Sequence, residues 1–306
     1  MSGPQFLYLD GEIVPFASAT VHISAPGVKY GIGVFEGLRG YWNDADEEMY
    51  VFRLTDHVRR LKQSMKLLRL EDTYSVEFLE DAVLSMIRAN KFRTTVQMRI
   101  MALLDGIDGM RADAGPISLS VYGHPRETKP FQVNGVTAGT SSWARPPDNV
   151  LPPRIKCNAN YLNGRLAEIE ARANGYDRPV LLNTRGKVSE GPGATLFIIK
   201  DGAPITPDTA SDLLESITRA TLIELFETRF GLQTEQRTMD RTEIYTADEA
   251  FFCGTLAEVT PILSLDGLPV GNGEVGPLTR ALQENYRDLV HGYVDDRPEW
   301  RVPVYG

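Results

Sequence analysis

A lysine in the segment LPPRIKCNANYLNG is the first residue that could do chemistry. Lys156 follows Pro152 and Pro153 and stands five residues before Tyr161. Taken alone, a lysine in such a segment is most often a solvated loop residue. A lysine amine with a lowered pKa can instead attack an aldehyde and form a Schiff base. Whether Lys156 is a solvated or a catalytic residue must be judged from the other reactive side chains in the sequence.

Three further segments each offer one part of a site. Glu190 lies in the Gly/Pro-rich stretch VSEGPGATLF, where it is either solvated or aimed at a protonated ring nitrogen or an amine. LLESITRATL places Ser216, Ile217 and Thr218 at a predicted helix N-terminus, where free N–H groups and the helix dipole favour an anion. FFCGT ends a strand at Thr255, whose N–H and hydroxyl could hold an oxyanion. Each feature alone is also typical of an ordinary cap or turn.

Together these groups match the requirements of pyridoxal phosphate. Its aldehyde needs an amine, its phosphate needs N–H donors and an arginine, and its ring nitrogen needs a carboxylate to stay protonated. The combination favours the catalytic interpretation of Lys156 over the solvated one.

Hydrophobic periodicity predicts the elements that position these groups. Asp10 and Gly11 between two apolar runs predict a hairpin. Strands and helices mix without a regular βαβ alternation, so we expect an α+β fold. Helices are predicted from an N-cap at Thr55, from Ser75, from about Tyr161 to Asn174, from Ser216 to Gly231, and over GPLTRALQENYRDLV.

Composition and charge argue against several classes of protein. The 306 residues are 42% hydrophobic and 24% charged, with a formal net charge of −9, which argues against nucleic-acid binding. No apolar run approaches the roughly 20 residues of a membrane span, and the first residues do not resemble a signal peptide. Cys157 and Cys253 are the only cysteines and the four histidines are scattered, so we expect no disulfide framework and no metal site. These features predict a cytoplasmic protein that acts on small molecules.

The chain resembles the class IV pyridoxal phosphate aminotransferases and looks most like the branched-chain amino-acid aminotransferases. The resemblance runs nearly from end to end. It is carried by YGIGVFEGLRGY (30–41), FRLTDHVRRL (52–61), SSWARPPDN (141–149), KCNANYLN (156–163), GYDRPVLLNTRGKVSEGPGATLF (175–197), ESITRATL (215–222) and ADEAFFCGTLAEVTPI (247–262).

The resemblance implies roles at the cofactor. Lys156 matches the lysine that holds pyridoxal 5'-phosphate as a Schiff base and then shuttles a proton. Tyr161 matches the tyrosine on the phenolic oxygen, and Glu190 matches the carboxylate on the ring nitrogen. Arg60 matches the arginine on the phosphate, although a solvated helix face would also explain it. The remaining phosphate contacts are Ile217, Thr218 and Thr255.

The same resemblance implies the architecture. It predicts a small N-terminal α/β domain over 1–127, a linker over 128–135, and a larger β-barrel-like domain with helices over 136–306 that binds the cofactor. It also predicts a homodimer with each active site at the dimer interface.

The residues expected around the substrate follow from the branched-chain form of the family. Phe35 is expected as a wall, Gly37 as space, Arg39 as support and Tyr30 as a group from the partner subunit. Arg99 matches the arginine that takes the side-chain carboxylate of glutamate, so one pocket accepts both apolar and acidic substrates. Further substrate contacts are expected from Gln97, Arg111, Arg126, Leu256 and Ala257.

Three departures from the family pattern leave the substrate open. Gln97 replaces a usual tyrosine, Arg111 replaces a small residue, and VYGHPRE offers His124 and Arg126 where an aromatic usually covers the substrate. We therefore expect transamination between leucine, isoleucine or valine and 2-oxoglutarate. The alternatives are a D-amino-acid or (R)-amine transaminase and a lyase that expels pyruvate. A binding protein on an inactive scaffold is disfavoured, because Lys156 and its two predicted cofactor partners are all present.

Overall fold

The computed structural model describes residues 4–106 and 115–306, in two compact units. Unit 1 consists of Met1–Glu127, Ile155–Ala159 and Asp288–Gly306, and unit 2 consists of Thr128–Arg154 and Asn160–Arg287. The two units therefore interleave along the chain, whereas the predicted domains are contiguous segments. The predicted linker over 128–135 belongs to unit 2, and most of it is a short helix.

Both units combine helices with one sheet, as the predicted α+β class requires. The helices are α1 (Pro26–Tyr30), α2 (Leu54–Leu67), α3 (Val76–Asn90), α4 (Pro130–Asn134), α5 (Asn160–Ala173), α6 (Ile217–Phe230), α7 (Arg241–Tyr245) and α8 (Pro277–His291). The strands are β1 (Phe6–Leu9), β2 (Glu12–Pro15), β3 (Gly33–Asn43), β4 (Glu48–Phe52), β5 (Val96–Leu104), β6 (Ile117–Pro125), β7 (Val136–Thr140), β8 (Arg178–Val180), β9 (Thr195–Lys200), β10 (Ala203–Thr206), β11 (Glu235–Gln236), β12 (Glu249–Gly254), β13 (Glu258–Leu265), β14 (Leu268–Pro269) and β15 (Arg301–Pro303).

The sheet of unit 1 has seven antiparallel strands in the order β15-β4-β3-β5-β6-β1-β2. Helices α2 and α3 pack against it through apolar side chains at helical spacing. Val58, Leu61 and Met65 of α2 are fully buried, as are Leu79 and Val83 of α3. This apolar layer holds α2 against β3, and both elements carry candidate functional residues of unit 1.

The sheet of unit 2 has the order β11-β10-β9-β12-β13-β7-β8, with β14 beside β13. Its pairings are mixed, since β7 runs parallel to both β13 and β8. Phe197 of β9 and Phe251 of β12 stack with ring centres 5.2 Å apart, and Phe226 of α6 packs beside them. This aromatic core fixes α6 against the sheet.

Local sequence signals correctly predicted several element ends. Asp10 and Gly11 form the predicted hairpin turn with positive φ, and Ser75 and Ser216 cap their helices. The N-cap predicted at Thr55 is wrong, because the N-cap of α2 is Arg53, two residues earlier. Thr55 Oγ1 instead donates to Glu80 of α3 at 2.5 Å, so its hydroxyl is engaged between helices.

No helix among the described residues is both long enough and apolar enough to cross a bilayer.

Candidate active site

Lys156 belongs to unit 1, where its backbone is anchored to α2 and β3. Its N–H donates to Ser64 Oγ at 3.2 Å, and its carbonyl oxygen accepts from the N–H of Phe35 at 3.0 Å. The side chain is half-buried, with Nζ 5.2 Å from the centre of the Phe35 ring. Two elements distant in sequence therefore fix the position of this lysine.

One face of β3 and β5 carries half of the ten residues predicted to surround the substrate. Gly37 pairs with Arg99, and Arg39 pairs with Gln97 across the strands. The Arg99 guanidinium lies 4.1 Å from the centre of the Phe35 ring. In the part of the chain that the structure describes, Arg99 forms no ion pair. A Cβ atom at Gly37 would meet nothing within 4 Å, so this face offers an aromatic wall, a cation and open space.

The other substrate residues predicted for unit 1 occupy different settings. Arg39 is buried and donates from Nη2 to the carbonyl oxygen of Arg126 at 2.8 Å, which ties the end of β6 to β3. His124 is exposed near that end. Tyr30 closes α1 with 42% of its surface exposed. Arg111 lies outside the described residues, so its predicted contact is untested.

Arg60 lies on α2 in a buried cluster of charged groups. Its Nε and Nη2 atoms donate to the two carboxylate oxygens of Glu36 at 2.7 and 2.8 Å. His57 Nδ1 contacts the same carboxylate at 2.7 Å. Burial by itself would raise the pKa of Glu36, but the charge and hydrogen bonds of Arg60, together with His57, lower it to about 2, so this carboxylate stays ionised. Because Glu36 can then only accept, the His57 Nδ1 must carry the proton and donate it.

Burial makes His57 a source of pH-dependent stability. Desolvation lowers the pKa of His57 below the ordinary value of 6.5. As the pH falls, the unfolded chain therefore becomes protonated at His57 before the folded chain does, and the folded state loses stability. Glu36 acts in the same direction, since its stabilising charge is lost only as the pH falls below 4.5 towards about 2. We expect the Tm of the cofactor-free chain to fall between about pH 7.5 and about pH 5, and His57→Asn to flatten that fall. Differential scanning fluorimetry measures both curves. His22→Asn, at an exposed histidine, is the matched control, and equal slopes in the two variants would contradict this role for His57.

In unit 2, Glu190 is held by a buried arginine. The Nε atom of Arg145 lies 2.9 Å from Glu190 Oε1, and both side chains are more than nine-tenths buried. The N–H of Leu214 donates to the other oxygen at 3.2 Å. Arg145 is itself anchored, because its backbone N–H donates to the carbonyl oxygen of Leu182 at 2.8 Å. The guanidinium stabilises the negative charge on Glu190, as a partner for a protonated ring nitrogen requires.

Tyr161 lies in the first turn of α5, beside the turn that follows Glu190. A Cβ atom at Gly193 would lie 3.8 Å from Tyr161 Cε1. A Cβ atom at Gly164, one turn along α5, would lie 3.0 Å from Pro192. The start of α5 and the turn that follows Glu190 therefore approach each other closely.

The N-terminus of α6 has the properties expected of an anion site. Ser216 Oγ accepts from the N–H of Arg219 at 3.2 Å and so caps the helix. The first-turn N–H groups of Ile217 and Thr218 have no acceptor within the helix, and the dipole favours negative charge there. Leu214, just before this turn, bonds Glu190, so the predicted phosphate and ring-nitrogen residues are tied together within unit 2.

The loop between β12 and β13 contains Thr255, Leu256 and Ala257. Gln132 Nε2 donates to the carbonyl oxygen of Leu256 at 2.8 Å, and Thr260 Oγ1 donates to that of Ala257 at 2.6 Å. Both carbonyl groups are thus engaged on the protein side. These two hydrogen bonds restrain the loop at neighbouring residues.

Three functional candidates were missed in the sequence. Glu36 and His57 lie within VFEGLR and FRLTDHVRRL, and Arg145 lies within SSWARPPDN. A charged residue flanked by apolar ones on a predicted strand, as in VFEGL, was the one available signal of a buried ion pair. Within the described residues, no group of three or more His, Cys, Asp or Glu side chains could hold a metal ion.

Comparison with known proteins gives a consistent result. The family model described as amino-transferase class IV matches residues 33–265. A probable branched-chain-amino-acid aminotransferase of Aquifex aeolicus is 38% identical over 305 residues, covering 98% of this chain and 97% of the relative. The branched-chain-amino-acid aminotransferase of Pseudomonas aeruginosa is 36% identical over 304 residues, covering 97% of both.

Solved structures agree with the sequence relatives. The branched-chain amino acid aminotransferase of Thermobaculum terrenum in its PLP form superposes with a TM-score of 0.94 at 42% identity, over 100% of both chains. The T.th. branched-chain amino acid aminotransferase complexed with N-(5'-phosphopyridoxyl)-L-glutamate gives a TM-score of 0.91 at 33% identity, over 98% of both chains.

Proposed function

We propose that this chain, which belongs to the class IV aminotransferases, transfers amino groups between branched-chain L-amino acids and 2-oxoglutarate. It is an aminotransferase whose cofactor is pyridoxal 5'-phosphate. The observation that carries the substrate assignment is the Arg99 guanidinium 4.1 Å above the Phe35 ring. The same face of unit 1 thereby offers an apolar wall and a cation without an ion-pair partner among the described residues.

The residues present fit the cofactor. A buried carboxylate, Glu190, carries its own arginine partner, which suits a positively charged ring nitrogen. The capped N-terminus of α6 suits a phosphate. A Cβ atom at Gly254 would lie 3.0 Å from the carbonyl oxygen of Gly193, so the end of β12 and the turn after Glu190 approach closely. When bound, pyridoxal phosphate supplies an aldehyde and an electron-withdrawing ring.

The chain's own residues supply binding, orientation and proton transfer. Lys156 is proposed to hold the cofactor through its amine and to move a proton at the substrate Cα. Glu190 is proposed to keep a proton on the ring nitrogen, and Tyr161 to donate to the phenolic oxygen. The phosphate is proposed to lie against Arg60, Ile217, Thr218 and Thr255.

The substrate residues follow from the face of β3 and β5. Phe35 is proposed to contact the apolar side chain of leucine, isoleucine or valine, in the space that Gly37 leaves. Arg99 is proposed to bind the side-chain carboxylate of glutamate and of 2-oxoglutarate. The glutamate adduct bound in the T.th. relative supports this co-substrate. Further contacts are proposed from Tyr30, Arg39, Gln97, Arg111, Arg126, Leu256 and Ala257.

Separate half-reactions test this assignment. L-Leucine should bleach the yellow enzyme, and 2-oxoglutarate should restore the colour. Arg99→Met keeps an unbranched side chain beside Phe35 and removes the charged guanidinium. It should slow the 2-oxoglutarate step by about 100-fold and change the L-leucine step by only a few fold, because only the first substrate has a second carboxylate. Stopped-flow absorbance measures both rates.

The control is Arg93→Met, which removes another arginine of unit 1 that lies over an aromatic ring, 5.3 Å from the centre of Trp42. It should leave both steps unchanged. An equal loss in both half-reactions of Arg99→Met would refute the proposed role of Arg99. Bleaching by D-alanine or (R)-1-phenylethylamine but not by L-leucine would replace the proposed substrate with the D-amino-acid or (R)-amine alternative. Release of pyruvate from aminodeoxychorismate would indicate the lyase.

The oligomeric state, the location and the domain boundaries of the protein are proposals as well. A homodimer is supported by the exposure of Tyr30, the residue that the family resemblance assigns to the partner's site. A cytoplasmic location is proposed from the composition, in which Cys157 and Cys253 are both free cysteines. The contiguous domains over 1–127 and 136–306 stay a proposal beside the two interleaved units.

A further inference from the structure

Glu36 is a fully buried carboxylate to which the proposed mechanism gives no part. It is 0% exposed, and its two oxygens face three N–H groups, two from Arg60 and one from His57. An ionised carboxylate is costly to bury unless partners satisfy it completely. Such an arrangement therefore calls for an explanation.

The geometry of the ion pair fixes the plane of the Arg60 guanidinium. A bidentate contact through Nε and Nη2 removes the rotation that an arginine side chain otherwise keeps. His57 donates to the same carboxylate and so prevents Glu36 from turning away. The guanidinium is consequently oriented before any ligand arrives, which lowers the entropy cost of binding.

The position of Glu36 on β3 links this arginine to Lys156. The preceding residue, Phe35, donates its N–H to the carbonyl oxygen of Lys156. Ser64, one helical turn after Arg60 on α2, accepts from the N–H of Lys156. The same strand and helix therefore hold both the backbone of the lysine and the head of the arginine.

We propose that Glu36, steadied by His57, is a positioning residue that orients Arg60 towards the cofactor phosphate. This inference rests on the proposed function, which assigns Arg60 to that phosphate. Glu36 has two opposing effects, because its negative charge also reduces the attraction between Arg60 and a phosphate. Of the two effects on phosphate binding, the orientation of Arg60 is the larger. An amide in place of the carboxylate would turn an N–H donor towards the N–H groups of Arg60 and His57, and this would disrupt the pair.

Comparing two ligands separates positioning from general damage. Full-length cofactor-free protein is titrated with pyridoxal 5'-phosphate and, separately, with pyridoxal, which lacks the phosphate. Glu36→Gln should raise the Kd of the phosphorylated ligand by about 30-fold and change that of pyridoxal by less than about twofold. Arg60→Gln should show the same selectivity with a larger loss. Absorbance and intrinsic fluorescence report binding without any turnover.

Glu48→Gln is the matched control. Glu48 is another buried carboxylate of unit 1, but among the residues that the structure describes it accepts only from backbone N–H groups, including those of Val304 and Tyr305. It should leave the ratio of the two affinities unchanged. If Glu36→Gln does not fold, His57→Asn replaces it and should shift the ratio in the same direction by a few fold.

The possible results distinguish a failure of the positioning role of Glu36 from a failure of the phosphate-binding role of Arg60. Equal weakening of both ligands by Glu36→Gln, or unchanged or tighter binding of the phosphorylated ligand, would overturn the positioning role. An unchanged ratio in His57→Asn, used in its place, would overturn that role as well. An unchanged ratio in Arg60→Gln would remove Arg60 from the phosphate and end the inference with it. A selective loss in both Glu36→Gln and Arg60→Gln supports it.

Discussion

Lys156→Ala is expected to reduce transamination by roughly 10⁴-fold or more, because one side chain supplies both the amine that holds the cofactor and the group that moves the substrate proton. The structure supports the position this requires. The backbone of Lys156 is fixed by Ser64 and Phe35, and its side chain is half-buried beside an aromatic ring. Steady-state rates with L-leucine and 2-oxoglutarate measure the loss.

A chemical readout distinguishes this role from a structural one. Borohydride treatment of the wild-type enzyme should fix the cofactor to the peptide that contains Lys156, and mass spectrometry of the digest should find it there. Lys156→Ala should yield no labelled peptide. Lys62→Ala is the control. Lys62 Nζ makes a partly exposed ion pair with Asp72, of a kind worth little stability, and donates to the carbonyl oxygen of Tyr74. A label on another lysine in the wild type would disprove the assignment.

Features encoded by a few neighbouring residues were predictable from the sequence. The Asp10-Gly11 turn and the caps at Ser75 and Ser216 depend on the conformational preferences and side-chain oxygens of those residues themselves. Gly231 likewise ends α6 in the left-handed conformation that glycine adopts readily. Local chemistry is sufficient at these positions.

The start of α2 was mispredicted because distant contacts determine it. Arg53 adopts φ +53, which few non-glycine residues do, and its N–H donates to the carbonyl oxygen of Trp300 at 2.6 Å. Its guanidinium lies 4.4 Å from the centre of the Trp300 ring. These contacts come from the far end of the chain, and a window around Thr55 contains no trace of them.

The residues of the candidate site also fall into two groups, those predicted from local motifs and those brought together only by folding. Lys156, Glu190 and the N-terminus of α6 stand in motifs whose residue types reveal their chemistry. Their partners do not. Arg145 lies 45 positions before Glu190, and Glu36 lies 24 positions before Arg60, so only folding brings these charges within about 3 Å. Pairings of this kind need coordinates because the sequence specifies each charge but not its neighbour.

Removal of the Glu190 charge should affect stability and catalysis together. Glu190→Leu is expected to destabilise the protein by about 3–5 kcal/mol, because it leaves the Arg145 guanidinium buried without its counter-charge. It should also slow transamination by roughly 100- to 1,000-fold, since it removes the carboxylate that is proposed to hold a proton on the cofactor's ring nitrogen. Chemical denaturation of the cofactor-free chain and single-turnover rates of the holoenzyme measure the two effects.

The double variant Arg145→Met/Glu190→Leu separates them. It replaces the ion pair with apolar side chains of similar size, which is often neutral or stabilising. The N–H of Leu214 loses its acceptor in both variants, so that cost cancels in the comparison. Stability should therefore recover while the rate stays low, because the carboxylate is still missing. Recovery of the rate together with the stability would mean that Glu190 supports the fold and not the chemistry, and the partner of the ring nitrogen would have to be sought elsewhere.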